Sequence, residues 1–174
     1  MKDTKKLAIA ALLAALSVAV MSVGMAVEAL DLSACMLASL IAVIVYIEIG
    51  SPHVWLLWLV VSLVSWIVFP GSVLWVEYLF VFGPYPILKG YIERLPQRAW
   101  IPLKLLFVTL SASLLLLIVE VVIGLPFVGE VGDVMKTVYL VLALVIFFAY
   151  DKLITLFARL YIAKYRKRFA RFFK

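Results

Sequence analysis

Long runs of apolar residues, separated by short breaks, cover most of this 174-residue chain. A run of about 20 apolar residues can cross the roughly 30 Å hydrocarbon layer of a membrane as a helix, because a helix satisfies its own backbone hydrogen bonds. With 67% hydrophobic and 15% charged residues, the chain has more apolar surface than a water-soluble domain of this length can bury. The sequence therefore predicts an all-α integral membrane protein.

We predict six transmembrane helices that form one membrane domain over residues 1–174. The predicted helices cover residues 7–27, 33–49, 54–69, 72–90, 101–123 and 134–152, and a basic amphipathic tail follows at 153–174. Pro84 and Pro86 interrupt the fourth helix, because proline has no backbone N–H to donate. This break is either a hinge or a static bend. Lys89, which follows it, is expected to reach the lipid headgroups.

The lysine and arginine residues predict the orientation of the helices. With six helices and both termini in the cytoplasm, fifteen of the sixteen lie on the inner side and only Lys136 lies outside. Such an excess of basic residues is typical of cytoplasmic loops. Five helices, as after removal of residues 1–30 as a signal peptide, would divide the basic groups between both sides, and the first apolar run is longer than a usual signal sequence. The basic tail is expected on the anionic inner leaflet rather than on nucleic acid.

Small residues recur along one face of the first predicted helix. Ala8, Ala11, Ala15 and Ala19 are spaced by three and four residues and therefore share a face. Small side chains let helix backbones approach closely, which is how membrane helices gain packing contacts without a hydrophobic driving force. The face either packs against other helices of this chain or docks a second protein, and the spacing leaves both possibilities open.

Acidic residues concentrate near the predicted outer ends of the helices. Glu77 and Glu120 lie inside predicted helices, where a carboxylate is costly and needs a functional or structural reason. Glu28 and Asp31 lie in the loop after the first helix, where they are either solvated charges or part of the same acidic surface. An acidic outer surface favours a cationic or amine-bearing solute.

Aromatic residues accompany these acids and complete the predicted binding site. Rings beside a carboxylate either hold a flat or cationic ligand or anchor helices at the membrane interface. The predicted ligand-binding residues are Glu28, Asp31, Trp75, Glu77, Tyr78, Glu120 and Tyr139.

The sequence contains none of the common motifs for catalysis or nucleotide binding. The one histidine, His53, lies in a short inner loop, and no Ser-His-Asp, His-Glu-x-x-His, P-loop or glycine-rich dinucleotide pattern is present. We therefore predict no enzyme activity, no catalytic or metal-binding residue and no cofactor. The chain is also not expected to use ATP by itself.

The N-terminal sequence Lys5-Lys6-Leu7-Ala8-Ile9-Ala10-Ala11-Leu12-Leu13-Ala14-Ala15-Leu16 is similar to the usual start of the S components of energy-coupling factor (ECF) transporters. These bacterial and archaeal vitamin-uptake proteins have a similar length, six helices and cytoplasmic termini. An Ala-x-x-x-Ala pattern in their first helix contacts the membrane-spanning T component. Ala11-x-x-x-Ala15 and Ala15-x-x-x-Ala19 match this pattern, and the resemblance in topology covers the whole chain.

The resemblance implies a substrate-binding subunit in a bacterial or archaeal cell membrane that captures a small water-soluble nutrient at its outer face. It also implies two kinds of partner: a T component, which docks on Ala8, Ala11, Ala15 and Ala19, and two ATPase subunits. Two other functions stay open. One is a non-transporting scaffold similar to the rod-shape protein MreD, and the other is a small solitary secondary transporter, which would need a polar path across the whole bilayer.

Overall fold

The computed structural model describes residues 3–27, 30–123 and 133–166, and these residues are almost entirely helical. The α-helices of the described part are α1 (Asp3–Ala26), α2 (Asp31–Glu48), α3 (Ser51–Val68), α4 (Leu74–Glu77), α5 (Pro84–Ile92), α6 (Trp100–Ile118) and α7 (Asp133–Leu160). Three π-helical turns adjoin them, at Tyr78–Phe82 between α4 and α5, at Val119–Ile123 after α6 and at Tyr161–Tyr165 after α7. A 3-10 turn, Gln97–Ala99, precedes α6.

Five helical segments in the described residues are long and apolar enough to cross a membrane. They are α1, α2, α3, Gln97–Val121 and Val141–Tyr165. The predicted all-helical class is therefore confirmed, and these helices are consistent with a multi-pass membrane protein. The predicted fourth helix, residues 72–90, is divided into α4, a π-helical turn and α5, and each piece alone is too short to cross a bilayer. The sixth span and the cytoplasmic location of both termini stay predictions.

The last helix extends further than the sequence analysis predicts. α7 continues past residue 152 to Leu160, and the π-helical turn Tyr161–Tyr165 lengthens it. At about 1.5 Å per residue, the two together reach about 50 Å, which is more than the hydrocarbon layer requires. Arg166 Nε lies 3.5 Å from Glu48 Oε1 at the end of α2. The beginning of the predicted tail is thus a continuation of α7 held near α2, while residues 167–174 lie outside the described residues.

Small side chains bring α1 and α2 close together. Both helices bury such residues, among them Ala10, Ala14, Ser17, Ala34, Ala38 and Ala42. A Cβ atom added to Gly24 would lie 2.5 Å from the Ala34 Cβ, so only glycine permits the approach at this position. Close backbone approach through small residues is the expected packing mode of helices in lipid.

The break in the fourth predicted helix is bound to α3. Gly83 donates its N–H to the Tyr78 carbonyl at 2.8 Å, one residue further back than in an α-helix, and Pro84 has no N–H to donate. The Leu79 carbonyl therefore lacks its usual helical donor. The indole N–H of Trp58, from α3, donates to this carbonyl at 3.1 Å.

The same break is also bound to α7. Pro86 cannot donate to the Phe82 carbonyl, which lies four residues before it. The Tyr150 hydroxyl, from α7, lies 3.2 Å from this carbonyl and 2.7 Å from Ser39 Oγ of α2, and its one O–H is shared between these two acceptors. Side chains of two neighbouring helices thus satisfy the carbonyls that the prolines leave unpaired, which favours a static bend over a free hinge.

Candidate functional site

Asp31 and Glu77 lie near each other at the end of the bundle that is predicted to face outward, here called the outer end. Asp31 is in the first turn of α2, and Glu77 is the last residue of α4. Both are half-buried, and their carboxylates are close enough to interact electrostatically with each other and with the Cys35 thiol. Among the described residues, Glu77 Oε2 is shielded from solvent and has no hydrogen-bond partner. A cationic or hydrogen-bond-donating group would compensate this oxygen.

Cys35 and Tyr78 lie next to the two acids and are fully buried. The Cys35 thiol donates to the Leu74 carbonyl at 3.4 Å and is close enough to Tyr78 for an electrostatic interaction. The Tyr78 hydroxyl has no hydrogen-bond partner in the part of the chain that the structure describes. The group of Asp31, Cys35, Glu77 and Tyr78, here called the outer polar site, thus joins α2 to the fourth segment. Within the described ranges, no three His, Cys, Asp or Glu side chains are arranged to hold a metal ion.

Trp75 lies beside the outer polar site, but its polar atom is already used. The indole is buried, and its N–H donates to the Pro70 carbonyl at 3.2 Å. Its ring centroid lies 6.3 Å from that of Trp66, which is half exposed. Trp75 is thereby fixed against the turn before α4, where it can contribute ring surface but no free hydrogen bond.

Only part of the predicted ligand-binding set is brought together. Asp31, Glu77 and Tyr78 form a group, whereas Glu120 is exposed in the π-helical turn after α6. No described residue forms a hydrogen bond or an ion pair with Glu120. Glu28 lies outside the described residues, and the structure does not describe the side chain of Tyr139. The predictions for these two residues stay open.

The small-residue face of α1 is exposed in the part of the chain that the structure describes. Its four alanines, Ala8, Ala11, Ala15 and Ala19, are all exposed, whereas the neighbouring Ala10 and Ala14 are buried against the bundle. Part of the face borders an apolar groove of about 350 Å³ between α1 and α3. The described helices of this chain therefore do not use the predicted docking face for their own packing.

Four charged side chains come together at the opposite end of the bundle, here called the inner end. This inner ion cluster consists of Lys89 on α5, Glu93 just after it, Lys104 on α6 and Asp151 on α7. Lys89 Nζ contacts Asp151 Oδ1 and lies 2.9 Å from Glu93 Oε1. Lys104 Nζ lies 2.7 Å from Asp151 Oδ2 and 4.0 Å from Glu93 Oε1. The Tyr85 hydroxyl donates to Asp151 Oδ1 at 2.5 Å.

The inner ion cluster balances its charges in a largely buried place. The side chains of Lys89, Lys104 and Asp151 are 5%, 8% and 13% exposed, while that of Glu93 is 35% exposed. Two lysines and two carboxylates give a net charge of zero. Charges removed from water are tolerated only when they are paired and hydrogen-bonded, because desolvation of a single charge costs several kcal/mol. The cluster therefore links three helices through contacts that have to form together.

Sequence analysis did not predict the inner ion cluster. It placed Lys89 among the lipid headgroups, and this expectation is wrong because the side chain is buried against Asp151. Two signals could have indicated the cluster. Tyr85, Lys89 and Glu93 are spaced by four residues and share a helix face, and Asp151 is an acid inside an apolar run, where it needs a partner.

Comparisons of the chain with models of protein families, with curated proteins and with solved structures found no match. The resemblance to ECF S components is therefore neither confirmed nor contradicted by a relative. The exposed face of α1, the outer polar site and the inner ion cluster are the structural features that bear on function.

Proposed function

We propose that the chain is the substrate-binding membrane subunit of an importer, similar to the S components of ECF transporters. The observation that supports this most is the exposed small-residue face of α1, formed by Ala8, Ala11, Ala15 and Ala19. In lipid, apolar side chains gain little by leaving their surroundings, so the value of a small-residue face is the close approach of another helix. Since the chain's own described helices pack on other residues of α1, the second helix comes from a partner.

The outer polar site supports the binding of a cationic nutrient. Asp31 and Glu77 place two carboxylates together, and Glu77 Oε2 and the Tyr78 hydroxyl are shielded and unpaired among the described residues. A charge-assisted hydrogen bond from an ammonium group to Glu77 would offset the cost of burying this oxygen. The proposed ligand is thus a small water-soluble compound that carries an amine or another cation.

The proposed partners follow from the resemblance and from the sequence. The chain has no nucleotide-binding motif, so a separate protein has to supply the energy of uptake. In the proposed complex, a T component docks on the α1 face, and two ATPase subunits bind the T component. The lipid bilayer surrounds the remaining apolar faces.

Replacing Ala15 by tryptophan is expected to lower the recovery of partners at least tenfold. Ala15 is exposed and lines the groove between α1 and α3, where an indole would keep a partner helix at a distance. Overpacking of a close contact costs about 1–3 kcal/mol, and about 1.4 kcal/mol corresponds to a tenfold change in affinity. The measurement is affinity purification of the tagged chain from native membranes in mild detergent, with quantitative mass spectrometry of the bound proteins.

Leu16→Trp is the matched control. Leu16 is also exposed and lies at the same depth, but it is turned by about 100° around the helix axis. This variant should retain the T component and the ATPases. Recovery of cell-shape or division proteins instead would favour the scaffold, and recovery of no T component or ATPase with the unmodified chain would contradict the proposal.

A small secondary transporter is a second candidate, because buried polar side chains lie between the outer polar site and the inner ion cluster. Ser39, Tyr85 and Tyr150 are all buried, and their hydroxyls bond to each other or to Asp151. Such a protein would work without partners. Accumulation of a cationic nutrient by the purified chain in liposomes, under an imposed ion gradient and without ATPases, would replace the first proposal by this one.

A further inference from the structure

We propose that the inner ion cluster is a partner-exchange switch that controls the contact between α6 and α7. In the arrangement described here, Lys104 of α6 pairs with Asp151 of α7. In a second arrangement Lys104 pairs with Glu93, and α6 separates from α7 at the inner end. This proposal does not depend on the proposed function, because it concerns only contacts within the chain.

The first argument is that charge, more than apolar burial, links α6 to α7, whereas α6 packs mainly on the Tyr78–Phe82 turn and α4. Within Trp100–Ile118, the buried side chains are Lys104 and Ser111. Phe107 is half-buried and packs against the rings of Tyr85 and Phe147, with centroids 5.3 and 6.3 Å away. Because lipid removes the hydrophobic drive for helix association, a polar contact such as that of Lys104 with Asp151 contributes a larger share of the free energy that holds α6 against α7.

The second argument is that each lysine of the cluster reaches both carboxylates. Lys89 contacts Asp151 and lies 2.9 Å from Glu93, and Lys104 lies 2.7 Å from Asp151 and 4.0 Å from Glu93. A short movement of the Lys104 ammonium group therefore exchanges one acid for the other. Lys89 keeps Asp151 paired in both arrangements, so the exchange leaves no charge uncompensated.

The third argument concerns the direction of the movement. Glu93 is the most exposed member of the cluster, and it lies in the turn after α5 rather than on α7. When Lys104 moves to Glu93, the ion pair between α6 and α7 is lost, which leaves the Phe107–Phe147 contact between them, while the link between α6 and the end of α5 is strengthened. Two discrete arrangements of one ion cluster are the kind of two-state element on which conformational switching depends.

The test is a distance measurement between spin labels on α6 and α7 in lipid nanodiscs. The labels replace Leu106 and Leu153, which are 65% and 40% exposed, in a chain whose buried Cys35 is changed to alanine. Asp151→Asn should move most molecules to a second, defined distance that is longer by about 2 Å or more. Asp151→Glu, which keeps the charge, should restore the original distance, and Glu93→Gln should leave it unchanged.

The double variant Asp151→Asn with Glu93→Gln separates exchange from simple loosening. Lys104 then has neither acid, so the defined second distance should give way to a broad distribution. Lys104→Met leaves Asp151 paired with Lys89 and should likewise give a broad distribution shifted to longer distances. It serves as the second variant if Asp151→Asn is too unstable to be purified. An unchanged distance between the labels in both Asp151→Asn and Lys104→Met would overturn the switch, and so would a longer distance in Glu93→Gln. A second pair of labels, at Leu12 on α1 and Leu59 on α3, serves as a reference. If its distance increases by the same amount, the bundle as a whole has loosened and the switch is also overturned.

Discussion

Gly83→Ala is expected to destabilise the protein by about 2–3 kcal/mol, although glycine-to-alanine changes in helices usually stabilise. A Cβ at this position would lie 2.3 Å from Trp58 Cδ1 and 2.7 Å from the Tyr78 carbonyl oxygen. The carbonyl belongs to the π-helical backbone and accepts the N–H of Gly83, so it cannot move without breaking this hydrogen bond. The indole would have to move instead, which breaks its 3.1 Å hydrogen bond to the Leu79 carbonyl.

Thermal unfolding in detergent, followed by tryptophan fluorescence, measures this effect. For a chain of this length, the expected loss lowers the midpoint by roughly 5–10 °C. Gly71→Ala is the control, because a Cβ there has no atom within 4 Å, and its midpoint should stay within about 2 °C of the unmodified protein. Equal midpoints for Gly83→Ala and Gly71→Ala would contradict the close contact between α3 and the π-helical turn.

The helices could be predicted from sequence because the dominant signal is local. An apolar run of sufficient length has few alternatives in a membrane, and α1, α2 and α3 were predicted to within about five residues. The fourth segment was harder, since hydropathy shows an apolar run but not whether its hydrogen bonds are continuous. The π-helical turn depends on Trp58 and Tyr150, which are distant in sequence, and therefore could not be derived from the segment itself.

The candidate sites depend on contacts between helices, and sequence analysis predicted them only in part. Asp31, Glu77 and Tyr78 could be grouped because the predicted topology brings their helix ends to the same side. The same reasoning grouped Glu120 with them, but it could not establish which way that side chain points, and the structure exposes it. Burial is a property of neighbours in space, which periodicity alone does not specify.

Sequence periodicity does not specify burial, and for this reason the sequence showed neither the exposure of the small-residue face of α1 nor the inner ion cluster. Spacing identified Ala11 and Ala15 as members of one face, but only the positions of α2 and α3 show that the face is exposed. The positive-inside rule treats each lysine as a solvated charge, and for that reason it assigned Lys89 and Lys104 to the inner side without finding Asp151 between them. The pairing of these side chains became visible only with the packing of α5, α6 and α7.

Glu77→Gln is expected to weaken ligand binding about 10–100-fold, whereas Glu120→Gln should change it less than about twofold. Both variants remove one carboxylate charge with little change in shape. Glu77 is half-buried beside Asp31 and Cys35, while Glu120 is exposed. A hydrogen bond to a charged group contributes about 1.5–3 kcal/mol, which corresponds to the expected loss for Glu77.

A thermal-shift screen of the unmodified protein with amine-bearing nutrients first selects a ligand that binds. Calorimetry then measures the affinity of each variant for this ligand. Because the prediction rests on the outer polar site as the ligand site, Glu120→Gln serves as the matched control. Loss of affinity in Glu120→Gln with retention in Glu77→Gln would place the ligand site at the π-helical turn after α6. Retention in both variants would contradict an acidic ligand site altogether and would favour the scaffold, since a scaffold requires the exposed face of α1 but no carboxylate at the outer end.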